Sequence, residues 1–290
     1  MTTIHIVSVV SLWIFCKQMR YTFPVMARDN QILLEQLNRW FEKQTGVAIA
    51  YSGGMDSAFL ALAAKRHIGD SSKAYIVVSE VMPEVEIESA RETATKHGLN
   101  LTEVPLSVLH LEAFLKHPPD RCYLCKKHVF STLLSLKPAE WTLADGSNLD
   151  DRSDHRPGRR ALAELGVASP LEIAGFDKNA IRETLSAWDA PELIRPPGPC
   201  LATRIPFETP VTLEKLRQIQ SGESILREAG FPDSRLRHHG SLARIEVPAA
   251  DVERAMAELP GFIRRIQALG FIDVIIDSRG YRRGSMNSDL

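Results

Sequence analysis

The sequence predicts an α/β fold: a parallel sheet with helices on both faces, followed by a small α+β domain. Three observations predict it. Short apolar runs alternate with helical periodicity between residues 29 and 144, and a glycine turn stands at the end of the first of those runs. A proline-rich connector, Arg195-Pro196-Pro197-Gly198-Pro199-Cys200, then separates this alternation from strands and helices in a different order.

Each element follows from its residues. Asp29-Asn30 opens a helix with Ile32, Leu33, Leu37, Trp40 and Phe41 at helical spacing, and Gly46 stops it before the strand Val47-Ala48-Ile49-Ala50. Ala58-Phe59-Leu60-Ala61-Leu62 is helical, residues 74–78 are a buried strand, residues 83–98 an acidic-faced helix, and residues 101–106 and 141–144 further strands. The connector can be neither regular helix nor central strand, so it marks a domain boundary. Beyond it, residues 213–229 form a helix ended by Gly230, residues 243–247 alternate as a strand, residues 249–259 are helical and residues 271–277 are a strand. The parallel-sheet domain is thus expected at 26–195 and the small α+β domain at 196–290. Residues 1–25 are expected to be a non-native or disordered extension ahead of a start at Met26. Their apolar run is too short to span a bilayer, and no basic segment precedes it as in a signal peptide.

With 44% hydrophobic and 24% charged residues in 290, the chain has room for one large domain or two smaller ones. A net charge of −1 argues against a general polyanion binder, so neither nucleic acid nor a membrane is an expected partner. Lys and Arg still cluster in the last third, which leaves room for a local basic pocket and a small ligand. Four cysteines, Cys16, Cys122, Cys125 and Cys200, are too few and too unevenly placed for a disulfide scaffold. A cytoplasmic protein with metal or sulfur chemistry is expected.

Ser52-Gly53-Gly54-Met55-Asp56-Ser57 follows the first strand and opens a helix. Paired glycines allow positive φ and expose successive N–H groups, and the helix N-terminus adds partial positive charge, so the turn is an anion cradle. No Lys-Ser or Lys-Thr pair follows, which excludes a Walker A loop. The stretch resembles the PP-loop of the adenine nucleotide α-hydrolase-like enzymes. That resemblance implies that Ser52, Gly53, Gly54, Asp56 and Ser57 hold the pyrophosphate part of ATP while the α-phosphorus is attacked and an adenylate forms. Asp145-Gly146 lies at a second strand end, and Asp56 and Asp145 are the candidates for orienting Mg2+ and ATP. The competing reading is a glycine-rich turn with no ligand.

Cys122-Tyr123-Leu124-Cys125 is a C-x-x-C pair, used in redox, zinc and cluster sites alike, and Cys200 supplies a third thiol from the connector. Three thiols favour a site with one open position; His117, His128 or His155 would complete a closed zinc site. An iron–sulfur cluster, zinc and no metal all stay open at this point. Arg204 or Arg195 is expected to favour the Cys200 thiolate, whereas an inert buried cysteine is the alternative. Arg235 and Arg237, one residue apart on a strand, share a face suited to a phosphate or carboxylate, with a solvated surface pair as the alternative. Arg156 and Arg204 are candidates of the same kind. Glu223 and Glu246 are weaker candidates for a divalent ion or the substrate.

Taken with Asp120-Arg121-Cys122-Tyr123-Leu124-Cys125-Lys126-Lys127, Asp145-Gly146-Ser147-Asn148-Leu149-Asp150-Asp151, Arg156-Pro157-Gly158, Cys200-Leu201-Ala202-Thr203-Arg204-Ile205-Pro206, Arg235-Leu236-Arg237-His238-His239 and Gly280-Tyr281-Arg282-Arg283-Gly284-Ser285-Met286-Asn287, the phosphate turn completes a set. That set, from Met26 onward, resembles the LarE family of ATP-dependent sulfur transferases, which make the nickel-pincer nucleotide cofactor. The resemblance implies that ATP adenylates a carboxylate of a nicotinate-derived mononucleotide, and that sulfur delivered at Cys200 displaces AMP. It also implies a homo-oligomer. In members with only the connector cysteine, that residue gives up its own sulfur. Because Cys122 and Cys125 are present, the chain is similar to the three-cysteine members, whose thiolates hold a 4Fe-4S cluster. The rivals are another PP-loop enzyme, such as a tRNA thiolase or an amide-forming NAD or GMP synthetase-like ligase, and a non-catalytic cluster or sulfide carrier. A tRNA enzyme wants a broad basic face, which the charge balance does not supply.

Overall fold

The computed structural model describes residues 28–152, 157–195 and 198–282. The expected extension at residues 1–25 lies outside them. Helix α1 (Arg28–Phe41) leads into β1 (Val47–Ala50), α2 (Met55–Ile68), β2 (Ser72–Val78), α3 (Glu84–Lys96), β3 (Leu101–Pro105), the single turn α4 (Glu112–Leu115), α5 (Arg121–Leu136) and β4 (Thr142–Ala144). The four strands are parallel, in the order β3-β2-β1-β4. Such sheets are covered on both faces, and successive strand residues serve opposite faces. Along β1, Val47 and Ile49 enter one core with Phe59, Leu60 and Phe176, while Ala48 enters another with Phe130, Leu133 and Leu143. Helices α6 (Pro157–Glu164), α7 (Pro170–Ala174) and α8 (Lys178–Ala187) complete this layer, and the Asp177 carboxylate caps α8 by accepting the Ala180 N–H at 2.7 Å.

The second sheet takes the order β5-β6-β7, from β5 (Arg235–His239), β6 (Leu242–Glu246) and β7 (Asp273–Ile276), with the first pair antiparallel and the second parallel. Helices α9 (Leu213–Glu228) and α10 (Val252–Gln267) pack against it. One element departs from the sequence expectation. Instead of ending near residue 259, α10 runs through Pro260 to Gln267. Proline inside a helix costs a hydrogen bond, and here the burial of Phe262 and Ile266 beyond it outweighs that cost.

The strand order places the site. Successive crossovers carry the chain from β1 outward to β2 and β3, and it then returns to the other side of β1 as β4. The crevice beyond the carboxyl ends of β1 and β4 is therefore a topological switch point, where open parallel sheets bind ligands. The core under the second sheet is not confined to residues after the connector: Val81, Val108 and Phe114 belong to it along with Leu201, Leu236 and Phe262. Backbone bonds cross in the same sense, from Leu201 N–H to Val81 O (2.7 Å), Glu208 N–H to His117 O (3.1 Å) and Val211 N–H to Leu115 O (2.9 Å). Among the described residues, no helix is long and apolar enough to cross a membrane.

Candidate functional site

The phosphate turn occupies the switch point. Gly53 has φ +76°, a conformation that side chains with a Cβ rarely adopt, and Gly54 caps α2 without offering a side chain. The Ser57 hydroxyl closes the turn from inside. It accepts the Ser52 N–H at 3.2 Å, lies 3.1 Å from the Ser52 hydroxyl and donates to the Gly54 carbonyl at 3.0 Å. The second strand end approaches closely, since a Cβ on Gly146 would stand 2.8 Å from the Ser57 nitrogen. Only glycine fits there, so residues 145–147 and 52–57 form one surface. Asp145 is buried and accepts from the Ser147 hydroxyl at 2.5 Å and the Ser169 hydroxyl at 2.7 Å. Both of its oxygens are thus oriented before any ligand arrives. Asn148 and Asp151 are buried in the following turn, where the Asp151 carboxylate accepts the Asn148 N–H at 3.2 Å.

Cys122 and Cys125 stand on the first turn of α5, with Cys122 exposed and Cys125 partly buried. Cys200 caps the 3-10 turn Leu201–Arg204. Burial, with the neighbouring Cys200 and Cys122 thiols adding to it, pushes the Cys125 thiol up to about 12. The three sulfurs are therefore within electrostatic reach of one another. The expectation that a nearby arginine leaves Cys200 more acidic than usual is corrected: Arg121 and Arg204 pull in that direction, but loss of water outweighs them and the thiol is raised. Arg195 is not the partner expected; it reaches back to the phosphate turn.

Two buried ion pairs carry the Cys200 turn. Arg204 forms a bidentate pair with Glu223 on α9, and its Nη1 donates to the carbonyls of Pro199 (2.6 Å) and Cys200 (3.2 Å). Arg237 on β5 donates twice to one Glu246 oxygen, at 2.9 and 2.7 Å, and once to the Thr203 carbonyl at 3.2 Å. Glu223 and Glu246 are thus not solvated, as glutamates of a helix or strand usually are. They neutralise arginines that grip the backbone around the cysteine. Arg235 differs. Among the described residues no carboxylate pairs with it, its Nη1 donates to the Ser234 carbonyl, and the Tyr281 ring lies 5.6 Å from its guanidinium. Burial lowers its pKa; the neighbouring Arg204 and Arg237 add to that, while Glu223 and Tyr281 oppose it. Arg156 lies outside the described residues.

Two further residues lie close to the cysteine segments. Arg121 is buried just before Cys122, has no carboxylate partner among the described residues, and stacks 4.4 Å from the Phe207 ring. His117 is fully buried, with Nδ1 2.7 Å from the Pro206 carbonyl and the same Phe207 ring against it. Adjacency to the C-x-x-C pair is the sequence signal that would have singled out Arg121.

A protein of Synechocystis sp., itself uncharacterized, is 33% identical over 261 residues, 89% of this chain and 97% of its own. The pyridinium-3,5-bisthiocarboxylic acid mononucleotide synthase of Lactiplantibacillus plantarum is 31% identical over 247 residues, 84% of this chain and 90% of its own. The glutamine-hydrolyzing GMP synthase of Aeropyrum pernix is 29% identical over 226 residues, 68% of this chain but 42% of that longer protein. No family model matches the chain.

Proposed function

Since this chain belongs to the LarE family, that of the Lactiplantibacillus plantarum synthase, we propose that it is an ATP-dependent sulfur transferase that converts a carboxylate of a nicotinate-derived mononucleotide to a thiocarboxylate. The observation that carries the reading is the Cys200 turn, whose backbone two buried arginines hold beside a third, Arg235, that makes no ion pair with a described carboxylate. Arg235 is the natural partner for an anionic group of the acceptor, with Tyr281 beside it. Arg204 and Arg237 then act on the acceptor mainly by fixing the thiol and the local field. Arg156 is proposed to join them.

In the first step an acceptor carboxylate oxygen attacks the α-phosphorus of ATP, the bond to the bridging oxygen breaks, and pyrophosphate leaves. Ser52, Gly53, Gly54, Asp56 and Ser57 hold the departing phosphates through N–H and hydroxyl groups, and Asp56 with Asp145 is proposed to orient Mg2+. In the second, sulfur attacks the acyl carbon and AMP leaves with the bonding pair, which adenylation makes feasible; in the third, the bond that still ties this sulfur to its donor breaks and frees the thiocarboxylate. The group we propose for these thiols is a 4Fe-4S cluster: Cys122, Cys125 and Cys200 are soft ligands that feel one another's charge, although among the described residues no three His, Cys, Asp or Glu side chains are grouped as a metal site. When bound, such a cluster supplies a replaceable sulfide, so that Cys200 need not give up its own sulfur. We place the protein in the cytoplasm, take 26–195 and 196–290 as its functional division, and expect a homo-oligomer.

The test is anaerobic incubation of purified protein with Mg·ATP and the mononucleotide dicarboxylate, reading pyrophosphate release and the mass of the acceptor. Sulfur-for-oxygen exchange in the acceptor, dependent on ATP, is the expected result. ATP bound but never cleaved would overturn the reading in favour of a carrier.

A further inference from the structure

Arg195 opens the connector, yet its guanidinium is spent on the phosphate turn and α3. Nη2 donates to the carbonyl of Gly53 at 2.5 Å, Nη1 donates to the Ser89 hydroxyl, and the Glu86 carboxylate lies 3.6 Å away. Glu86 and Ser89 are both on α3, so this helix is the base on which the contact is built. The carbonyl that Arg195 holds belongs to the residue with φ +76°. In a trans peptide the C=O and the next N–H point in opposite directions. Fixing the Gly53 carbonyl toward Arg195 therefore turns the Gly54 N–H the other way, toward the mouth of the turn. That N–H has only a long bond, 3.4 Å, to the Ser52 hydroxyl.

Glu86 has a second neighbour. A Cβ on Gly198 would stand 2.1 Å from its Oε1, so the backbone two residues before Cys200 lies directly against the carboxylate that balances Arg195. Past Cys200, the Leu201 N–H is anchored on the Val81 carbonyl, in the loop that leads into α3. The phosphate turn and the cysteine segment thus rest on the same two side chains. Neither side chain has been placed in contact with substrate.

We infer that Arg195 is a positioning residue that sets the Gly53–Gly54 peptide for phosphate, and that Glu86 couples its setting to the segment carrying Cys200. The inference rests on the reading of residues 52–57 as the ATP turn. It gives the reaction an order: phosphate on the Gly54 N–H strengthens the alignment that Arg195 holds, and Glu86 passes that to Gly198.

The test uses the full chain and Mg·ATP without acceptor. ATP affinity is measured by calorimetry, and hydrogen exchange of peptides spanning 52–57 and 198–205 is followed with and without ATP, for the parent protein, Arg195→Ala, Arg195→Lys and Glu86→Gln. In the parent, ATP is expected to protect both peptides. Arg195→Ala is expected to bind ATP about tenfold more weakly, in line with one charged hydrogen bond, and to lose the protection at 198–205. Arg195→Lys is expected to recover part of the affinity. Glu86→Gln is expected to keep protection at 52–57 and lose it at 198–205, a split that a general loss of stability would not produce. Parent-like affinity in Arg195→Ala, or protection at 198–205 kept in both variants, would overturn the inference while leaving the proposed function standing. A parent protein that binds no ATP would overturn both.

Discussion

Arg204 and Glu223 meet fork to fork: Nε and Nη2 donate to the two carboxylate oxygens at 2.9 and 3.0 Å, and both side chains are buried. Glu223 also accepts the Leu236 N–H at 3.1 Å, so one carboxylate joins α9, β5 and the Cys200 turn. Removing one member of a buried pair leaves an uncompensated charge, which typically costs about 3–5 kcal/mol. Glu223→Ala is therefore expected to lower stability by that order in urea unfolding, and to increase alkylation of the Cys200 thiol. Unchanged unfolding would mean the pair is not what holds the turn.

Arg235 and Arg237, neighbours on one face of β5, are expected to fail differently. Arg237→Ala takes two charged hydrogen bonds from the buried Glu246, leaving it the longer 3.4 Å bond from Arg244, and should destabilise the fold, whereas Arg235→Ala removes a cation with no ion pair to a described carboxylate and should leave the melting temperature nearly unchanged. Arg235→Ala should instead raise KM for the mononucleotide acceptor about tenfold or more, as loss of a charged hydrogen bond would. Steady-state kinetics at saturating ATP separates the two effects. Parent-like KM in Arg235→Ala would remove this residue from the acceptor site.

Gly146→Ala puts a methyl group 2.8 Å from the backbone nitrogen of Ser57, where no flexible side chain can yield. The phosphate turn must shift instead. ATP affinity is expected to drop at least about tenfold, the equivalent of one displaced phosphate contact, while any iron bound through the proposed ligands Cys122, Cys125 and Cys200 stays as in the parent. Titration calorimetry beside metal analysis reads both quantities from one preparation.

Cys200→Ala should abolish sulfur transfer and spare pyrophosphate release, because the phosphate turn belongs to another segment of the fold. Cys122→Ala should lose the visible absorbance and iron of the anaerobically purified protein if the three thiols hold a cluster. Colourless, iron-free parent protein would instead point to Cys200 as a sacrificial donor.

Burial lowers the pKa of His117 from 6.5 to about 4, so the folded chain keeps this ring neutral where the unfolded chain takes up a proton. Between those two values the unfolded state binds more protons, and acidification favours it. The contribution to stability is complete above pH 6.5 and is lost as pH falls toward 4. His238, lowered chiefly by burial as well, adds to the same slope. A His117→Asn variant, which retains a donor for the Pro206 carbonyl and tolerates the positive φ of this position, should melt with a shallower dependence on pH over that interval. Parallel melting curves across the interval would assign the slope elsewhere.

The parts of this molecule that were legible in the sequence are those whose physics is local. A strand, a glycine turn and a helix are contiguous in residues 47–68, so the phosphate cradle and its sheet position could be read directly. Pairing was not legible. Arg204 and Glu223 are 19 positions apart on different elements, Arg237 and Glu246 meet across a strand pair, and Arg195 reaches a carbonyl 142 positions earlier. Spacing alone made each of these residues a free charge, whereas the fold spends most of them on backbone and on one another. The continuation of α10 past Pro260 was hidden for the same reason, since what sustains it is a core assembled from distant segments.

Val81, Val108 and Phe114 lend their side chains to the core beneath the second sheet, and that loan limits how this protein can be divided. A cut at the prolines of the connector would separate the sequence into two tidy stretches but would split an oil-filled joint, leaving apolar surface bare on both pieces. Modular shuffling, in which a nucleotide-binding half is recombined with a foreign partner, would therefore need the loops before α3 and around α4 to travel with residues 201–276. The hereditary unit is larger than either sheet.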